Sequence, residues 1–234
     1  MIFDYGKPEG SRLVFGEDFR TRQIVQSRGG IIVGLPTIGN RQGGSFVFNA
    51  PNYTCLVWYP NTRGTLLGAT KATWRIVMKT DAASATSYLF NKGDLANRQW
   101  DLRLGTTAAF AIDTAGGAHS KYGSFAVTPS TIYDMLWVFD GSGATNPDRL
   151  KCYLQNGTPQ ALAFTGTIPA TLQSSAAMAA QAIVLGGLAN GTDGETSAGY
   201  EVYLTKLWSV AFSAQEAADE QLGQTYSKAF GGGP

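Results

Sequence analysis

The feature that most restricts how this chain can fold is a series of short apolar runs separated by Gly, Pro, Asn and Asp. Several runs alternate with a period of two: Leu150, Cys152 and Leu154 do so in RLKCYL, and Trp100 and Leu102 do so in QWDLRL. Such alternation is typical of strands with one buried face. Roughly eleven runs of this kind predict an antiparallel β-sandwich rather than alternating strands and helices.

One segment, FDGSGATNPDRLKCYLQNGTP, raises the question of whether its acidic loop is a turn or a ligand site. DMLWVFD and RLKCYLQ are expected to be neighbouring strands, with Asn156 and Gly157 supplying the left-handed residues of a tight hairpin. The loop of residues 140–148 offers oxygen ligands, which leaves calcium as an alternative to a simple turn. Its spacing is not that of an EF-hand and Pro147 stiffens it, so the turn is the favoured interpretation.

A single helix is predicted near the end of the chain. Ser213 and Glu216 have the spacing of a capping box, AQEAADEQLGQ supplies helix-forming residues, and Gly223 is expected to end the helix. Residues 1–12 and 225–234 show no periodicity and are interpreted as an N-terminal arm and a C-terminal tail. No internal repeat or linker divides the rest, so residues 13–224 are predicted to form one domain.

The composition argues against several function classes. Charged residues make up 15% of the chain and the net charge is +1, without the basic stripe of a nucleic-acid-binding protein. No apolar stretch has the length of a transmembrane helix, and MIFDYGKPEG lacks the pattern of a secretory signal, so we expect synthesis in the cytoplasm and no membrane partner. Cys55 and Cys152 are interpreted as small buried hydrophobic residues rather than a disulfide. His119 is the only histidine, which makes a zinc site unexpected.

The order of these segments resembles laminin-G-like, concanavalin A-like jelly-roll domains. LVFGEDFRTRQIVQSRGGIIVGLPT is similar to their opening strand and loop, GGSFVFNAPNYT to their second strand, and ATWRIVMKTDAASATSYLFNKGD to the strand pair that follows. WVFDGSGATNPDRLKCYLQNG resembles their hairpin, and GYEVYLTKLWSVAFSAQEAADEQL their closing strand and final helix. The resemblance covers about residues 12–224. It implies an all-β fold, a jelly-roll sandwich of two antiparallel sheets with one short C-terminal helix.

The same resemblance implies a place for calcium. Where the family binds calcium, oxygen ligands often come from an acidic residue near the opening strand and from the closing strand. Here Asp18 (or Glu17) and Glu201 hold those places, and Asp140 offers a further carboxylate. The family's closing strand more usually carries Asp than Glu. We therefore expect that the fold needs no cofactor. Bound calcium is the alternative.

Catalysis is not expected from the acidic residues of this chain. Retaining glycosidases of this architecture carry two catalytic carboxyl groups about 5–5.5 Å apart on one strand. The six glutamates of this chain are instead scattered among the predicted arm, loops, strands and helix. Lyases of the fold use His, Tyr, Arg and Gln on the concave sheet, and the one histidine here lies in the Gly-rich stretch GGAHSKYG. We therefore predict that the protein is not an enzyme.

One non-enzymatic function is that of a stand-alone, lectin-like carbohydrate-binding module. A glycan site would combine an aromatic platform with hydrogen-bonding side chains in polar loops. The candidate glycan-binding residues are Asn91, Asp94, Asn97, Arg98, Trp100, Asn190 and Asp193. The alternative for both groups is ordinary loop chemistry at the edge of a sandwich.

The favoured function is that of a structural subunit in a larger assembly, one that also has room for glycan binding. Such a subunit resembles a bacteriophage virion protein, of the capsid decoration or fibre type. This interpretation predicts other protein subunits as partners, a homo-oligomer, and location in the virion. The arms would provide the apolar anchors Ile2, Phe3, Tyr5, Tyr226 and Phe230.

Overall fold

The computed structural model describes the framework of the molecule together with most of its second half. The described residues are 13–18, 30–33, 46–48, 55–58, 66–80, 87–93, 98–113, 120–179, 181, 183–186 and 200–230. The predicted anchors Ile2, Phe3 and Tyr5, and the loop residue His119, lie outside the described residues.

The described residues form fifteen strands, all paired in antiparallel ladders. In chain order they are β1 (Leu13–Asp18), β2 (Gly30–Val33), β3 (Phe46–Phe48), β4 (Cys55–Trp58), β5 (Lys71–Lys79), β6 (Ser87–Gly93), β7 (Arg98–Leu104), β8 (Thr107–Ile112), β9 (Tyr122–Ala126), β10 (Ile132–Asp140), β11 (Leu150–Leu154), β12 (Thr158–Gln160), β13 (Ala163–Thr165), β14 (Ile183–Leu185) and β15 (Tyr200–Trp208).

These strands build two sheets. The seven-stranded sheet has the order β1-β15-β5-β10-β11-β12, and β3 also pairs with β15. The eight-stranded sheet has the order β13-β9-β8-β7-β6-β14-β4-β2. β1 and β15, the first and last of the described strands, pair with each other, and the predicted two-sheet antiparallel jelly roll is confirmed.

The core consists of the side chains that both sheets turn toward each other. Trp74 and Trp137 are register partners on β5 and β10 of the seven-stranded sheet. They pack against the eight-stranded sheet: the ring centroids of Trp74 and Trp100 are 5.4 Å apart, and those of Phe110 and Trp137 are 5.2 Å apart. All four side chains are fully buried. Aromatic side chains of this size make large contributions to core stability, and their packing therefore holds the many short strands in a single arrangement.

The hairpin after β11 has the predicted geometry. Asn156 and Gly157 have φ angles of 63° and 70°, and they join β11 to β12. β10 and β11 are neighbours, with Trp137 opposite Cys152. The predicted adjacency of DMLWVFD and RLKCYLQ and the predicted tight turn are thus confirmed.

Among the described residues, three helices accompany the sheets: α1 (Asn146–Arg149), α2 (Ala176–Ala179) and α3 (Ala214–Phe230). The capping box of α3 is confirmed, since the Ser213 N–H donates to Glu216 Oε2 at 2.7 Å and the Glu216 N–H donates to Ser213 Oγ at 3.2 Å. The predicted end at Gly223 is wrong, because α3 continues to Phe230. A glycine costs a helix only about 1 kcal/mol relative to alanine, and helix-forming residues follow it. Among the described residues, no helix has the length and hydrophobicity needed to cross a bilayer.

The outer face of the seven-stranded sheet is closed by α3. Apolar contact comes from a second core cluster, whose buried members are Leu136, Val138, Tyr153, Trp208, Phe212 and Ala217. Arg75, fully buried on β5, donates to Asp134 Oδ1 at 2.9 Å and Oδ2 at 2.6 Å and to Glu220 Oε1 at 3.1 Å. Gln221 accepts from the Gly157 N–H at 2.6 Å. Helix, sheet and hairpin are therefore joined by one hydrogen-bonded network.

Cys152 fits the interpretation as a small buried hydrophobic residue. It is a free thiol inside the main core, and burial raises its pKa well above the ordinary value. A thiol of this kind is an inert packing residue, because the thiolate is the reactive form. Cys55 begins β4, and its side chain lies outside the described part of the structure.

Candidate functional site on the eight-stranded sheet

Strand alternation places a group of polar side chains on the outer face of the eight-stranded sheet. On β7, Trp100 and Leu102 point into the core, so Asp101 and Arg103 between and after them point outward. The register pairs Asp101 with Asn91 of β6 and Arg103 with Tyr88 of the same strand. The group also includes Asp113, at the end of β8, and Arg98, at the start of β7. We call Tyr88, Asn91, Arg98, Asp101, Arg103 and Asp113 the polar cluster.

Arg98 joins the polar cluster through an irregularity in the ladder. The register between β6 and β7 shifts so that Lys92 pairs with Trp100 while Gly93 pairs with Arg98. The shift places two residues of β7 where regular pairing would have one, as in a β-bulge. Trp100 lies before the shift and packs in the core, whereas Arg98 lies beyond it and its guanidinium group reaches Asp101.

Asp101 is the centre of the polar cluster. It is fully buried, and its two oxygens bind different arginines: Arg98 Nη1 lies 3.2 Å from Oδ2 and Arg103 Nε lies 3.1 Å from Oδ1. Arg98 Nη1 also donates to the Tyr88 hydroxyl at 3.0 Å. The Tyr88 ring lies beneath both guanidinium groups, with centroid distances of 5.4 Å for Arg98 and 4.3 Å for Arg103. Cation–π contact and charge-assisted hydrogen bonds together fix both arginines in place.

Asp113 is the acidic residue of the polar cluster whose charge is poorly compensated. It is buried, its carboxylate oxygens accept no hydrogen bond from a donor group of the described residues, and Arg98 Nε is 3.8 Å from Oδ2. Burial, followed by the negative charge of Asp101, raises the pKa of Asp113 to about 7, against the opposing effect of Arg98 and Arg103. The carboxyl group therefore changes its protonation near neutral pH.

Exposure differs sharply within the polar cluster. The side chains of Arg98, Asp101 and Asp113 are 4%, 0% and 1% exposed, whereas that of Arg103 is 17% exposed. Arg103 is thus the part of the cluster that solvent or a ligand reaches first. The buried members support it from beneath.

Lys92 is a second unusual buried group, on the other side of β6. Its register partner is the core residue Trp100, and it is 1% exposed. Burial lowers its pKa to about 8. Since neighbours along a strand face opposite sides, Lys92 lies away from Asn91 and is not part of the polar cluster.

The structure places the predicted glycan residues in different surroundings. Asn91 and Arg98 lie together in the polar cluster. Trp100 is wrong as an aromatic platform, because it is fully buried between Trp74 and Phe90 in the core and has no face available to a sugar. The remaining four predicted residues lie outside the described part of the chain: Asp94, Asn97, Asn190 and Asp193.

The structure does not bring Asp18, Asp140 and Glu201 together as one metal site. Asp140 is the register partner of Lys71 at the start of β5, and Glu201 is the register partner of Lys79 at its end. Eight residues of strand separate these partners, a length of about 27 Å. Asp18 is the register partner of Leu204 on β15. Within the described ranges, no three or more His, Cys, Asp or Glu residues form a group suited to holding a metal ion.

The oxygens of the loop at residues 140–148 are used by the turn itself. Asp140 Oδ1 accepts from Ser142 Oγ at 2.6 Å, and Asp148 Oδ2 accepts from Thr145 Oγ1 at 2.6 Å. Burial raises the pKa of Asp140, but the hydrogen bonds from Ser142 and the charge of Lys71 outweigh it and hold the pKa below its ordinary value. These contacts agree with the interpretation of the loop as a turn.

Four members of the polar cluster were not singled out from the sequence: Tyr88, Asp101, Arg103 and Asp113. A signal was present, since D-x-R in QWDLRL places an acid and a base on the outward positions of a strand. Asp113 follows AAFAI and looks like a strand-ending residue, and only the pairing of β7 with β8 shows that it lies near Asp101. Pairing between strands is set by tertiary structure, which explains why these residues were missed.

Known proteins share this fold at low sequence identity. The receptor-binding domain of botulinum neurotoxin C/D mosaic serotype has a TM-score of 0.63 and 11% identity, covering 91% of this chain and 51% of that chain. The botulinum neurotoxin serotype G binding domain has a TM-score of 0.63 and 9% identity, covering 92% and 52%. The binding domain of botulinum neurotoxin DC, in complex with SialylT, has a TM-score of 0.61 and 8% identity, covering 85% and 46%.

The comparisons establish the fold but not the function, which must be argued from the site. This chain spans about half the length of the structural neighbours it matches. No family model matches the chain, and no curated protein matches it in sequence. At such low identity the likeness shows a two-sheet jelly roll.

Proposed function

We propose that this protein is a non-catalytic binding module that recognises carbohydrate on the outer face of its eight-stranded sheet. The observation that carries the proposal is the polar cluster, in which an exposed arginine is supported by buried charges and a tyrosine ring. Carbohydrate hydroxyls both donate and accept hydrogen bonds, and they are recognised by a few fixed polar groups on a preformed surface. The neighbours with the same fold are receptor-binding domains, one of them in complex with SialylT, which supports the same class of function here.

The bonding of the carboxyl groups favours binding over catalysis. A glycosidase needs one carboxylate free to act as nucleophile or base and one carboxyl group as acid. Both oxygens of Asp101 are already bound by arginines, so its charge is neutralised. Asp113 is buried beneath the surface with Arg98 beside it. The arrangement supports recognition, in which fixed charges hold a ligand without reacting with it.

The test is binding of purified protein to a panel of neutral and acidic oligosaccharides, followed by calorimetry on those retained. We expect saturable binding without release of reducing ends. Tyr88→Phe removes the hydroxyl that holds Arg98 and is expected to weaken binding several-fold. Tyr133→Phe is the matched control. Tyr133 lies on β10 of the seven-stranded sheet, and its hydroxyl accepts the Thr128 N–H. Binding to no sugar would overturn the proposal, and turnover abolished by replacing one carboxylate would overturn its non-catalytic part.

A second candidate function is that of an assembly subunit, of the kind found on a virion surface. The observation that favours it is α3, which continues to Phe230 and carries the large hydrophobic residue Leu222 in an exposed position. Tyr226 and Phe230 follow Leu222 at intervals of four in the sequence, the spacing of one side of a helix, and their side chains lie outside the described part of the structure. A helix face with this spacing would bind a second copy of the chain, and the homo-oligomer and virion location belong to this proposal.

Removing residues 226–234 tests the second candidate by sedimentation and thermal unfolding. The assembly proposal expects an oligomer in the full chain that dissociates after truncation while the unfolding temperature of the jelly roll is kept. A monomeric full chain, or an oligomer unchanged by the truncation, would contradict it. Leu222→Gln provides a point substitution on α3, and Ile132→Gln is a control at an exposed large hydrophobic residue on β10.

A further inference from the structure

Arg103 has an unused hydrogen-bonding edge. Its Nε donates to Asp101 Oδ1 at 3.1 Å, and its Cζ lies 4.3 Å from the centroid of the Tyr88 ring. These contacts occupy one edge and one face of the guanidinium group. Within the described part of the chain, the two Nη groups have no hydrogen-bond acceptor, and the side chain is 17% exposed.

A guanidinium group held in this way is preorganised to bind a planar oxyanion. Arginine binds a carboxylate with two parallel N–H···O bonds, a geometry that a lysine ammonium does not reproduce. Because Asp101 and Tyr88 already fix the position of Arg103, little side-chain freedom is lost when a ligand binds. A neutral sugar hydroxyl would use only part of this fork.

We propose that Arg103 is the specificity residue of the site and that it receives the carboxylate of an acidic sugar. The inference rests on the proposed carbohydrate-binding function and narrows it to uronic-acid-type or other carboxylated glycans. Sulfated sugars present a related oxyanion, and the experiment below separates the two.

The charges around Arg103 make anion binding depend on pH. The charged groups of the described residues that face Asp113 are Asp101, Arg98 and Arg103, with the Tyr88 hydroxyl bonded to Arg98. When Asp113 is ionised, two acids balance two arginines; when it is protonated, one positive charge is left over. A bound anion therefore favours the protonated form, and affinity rises as pH falls through about 7, the pKa of Asp113.

The experiment compares oligomers of glucuronic acid, glucose and 6-sulfated glucose by calorimetry at pH 6 and pH 8. The proposal expects the glucuronic acid oligomer to bind at least about tenfold more tightly than the glucose oligomer, as expected for charge-assisted hydrogen bonds. Its affinity should be higher at pH 6 than at pH 8, and Asp113→Asn should remove most of that difference. Stronger binding of the sulfated oligomer than of the carboxylated one would overturn the carboxylate assignment.

Three variants separate the guanidinium fork from charge alone. Arg103→Lys keeps the charge and Arg103→Gln removes it, and both are expected to lower affinity for the glucuronic acid oligomer about tenfold and affinity for the glucose oligomer by a clearly smaller factor. Lys151→Gln is the matched control, because Lys151 is an exposed cation on β11 of the other sheet. Thermal unfolding confirms that each variant folds. If Arg103→Gln does not fold, the Lys variant and the pH comparison still decide the question.

The outcomes distinguish the inference from the function on which it rests. Equal affinity for the acidic and neutral oligomers overturns the role of Arg103 and leaves carbohydrate binding intact. Absence of binding to all sugars overturns the proposed function itself. Tight acidic binding that survives both Arg103 variants, or that falls equally with Lys151→Gln, shows non-specific charge attraction and also overturns the inference.

Discussion

The two sheets of the molecule carry similar charged residues on their outer faces but complete them differently. On the seven-stranded sheet, buried Arg75 binds Asp134 and Glu220, and α3 covers the group. On the eight-stranded sheet, within the described part of the chain, Asp113 accepts no hydrogen bond from a donor group and the Nη groups of Arg103 have no acceptor. The first group is covered by α3, whereas the second is buried except at Arg103, where we propose that a ligand binds.

The difference teaches how to separate structural charge networks from binding surfaces. A buried polar group that is fully hydrogen-bonded holds its elements together, and its loss is felt mainly as instability. A buried polar group that lacks some of its hydrogen bonds lowers the stability of the free protein, and binding of a ligand or a proton can remove that loss. The raised pKa of Asp113 is one expression of that cost. Substitutions on the two faces should therefore affect different properties.

The largest expected effect is on the closed face. Arg75→Met keeps a similar volume but leaves Asp134 without its bidentate partner and removes one charged partner of Glu220, which keeps Lys206 at 2.7 Å. Removing one partner of a buried ion pair costs about 3–5 kcal/mol. Denaturant unfolding should show that loss, and adding Asp134→Leu should recover part of it. An Arg75→Met variant as stable as the parent would mean that the α3 network is not structural.

Arg103→Met is the matched substitution on the outer face of the eight-stranded sheet. Asp101 keeps Arg98 as a partner, and Arg103 is partly exposed, so the expected cost is only about 1 kcal/mol. Equal losses for the two arginine variants would remove the distinction between the faces.

A second prediction concerns the uncompensated acid. The pKa of Asp113 is raised to about 7 in the folded protein from an ordinary 3.8, so the folded state binds more protons than the unfolded state between these values. Stability contributed by this group is full at low pH and is lost as pH rises through about 7. Asp113→Asn removes the ionisation and should stabilise the protein by about 2–4 kcal/mol at pH 8, with little effect near pH 4. Urea unfolding at both pH values measures this, and a pH-independent effect would contradict it.

Most of the fold could be predicted from the sequence because the signals for it are local. The alternation in RLKCYL and QWDLRL gave strands β11 and β7, the Asn156-Gly157 pair gave the hairpin, and Ser213 with Glu216 gave the start of α3. Each depends on residues a few positions apart. The end of α3 was missed because Gly223 only weakens a helix, and nothing in the sequence forces an end there.

The candidate site could be predicted only in part because it depends on pairing between strands. Asn91 and Arg98 were recognised as polar residues near a turn. Their neighbours Asp101, on β7, and Asp113, directly after β8, come together through a strand register that the sequence does not state. Trp100 was proposed as an aromatic platform from its polar neighbours, whereas it alternates regularly with Asp101 and Leu102 and packs in the core. Electrostatic sites made by several strands are thus harder to predict than the strands that carry them.

A third prediction concerns the hairpin beneath α3. Gly157 has a φ of 70°, and a Cβ added there would lie 2.6 Å from the Cβ of Ala218 on the helix. Gly157→Val therefore combines backbone strain with a steric clash and should cost about 1–3 kcal/mol. Thermal unfolding measures the loss, while oligosaccharide binding on the opposite face should be kept. An unchanged unfolding temperature would mean that the hairpin and helix are not in contact in solution.

The smallest expected effect is at the first turn of α3. The Ser213 hydroxyl accepts the Glu216 N–H at 3.2 Å, and the Glu216 carboxylate accepts the Ser213 N–H at 2.7 Å. Ser213→Ala removes the first of these bonds and should cost about 1 kcal/mol, whereas Ser213→Asp keeps an acceptor at the cap and should cost less. Hydrogen exchange is the sensitive readout, because loosening should appear in the amides of α3 and the Arg75 network before it appears in the eight-stranded sheet. Faster exchange confined to β7 and β8 would contradict the view that the helix belongs to the closed face alone.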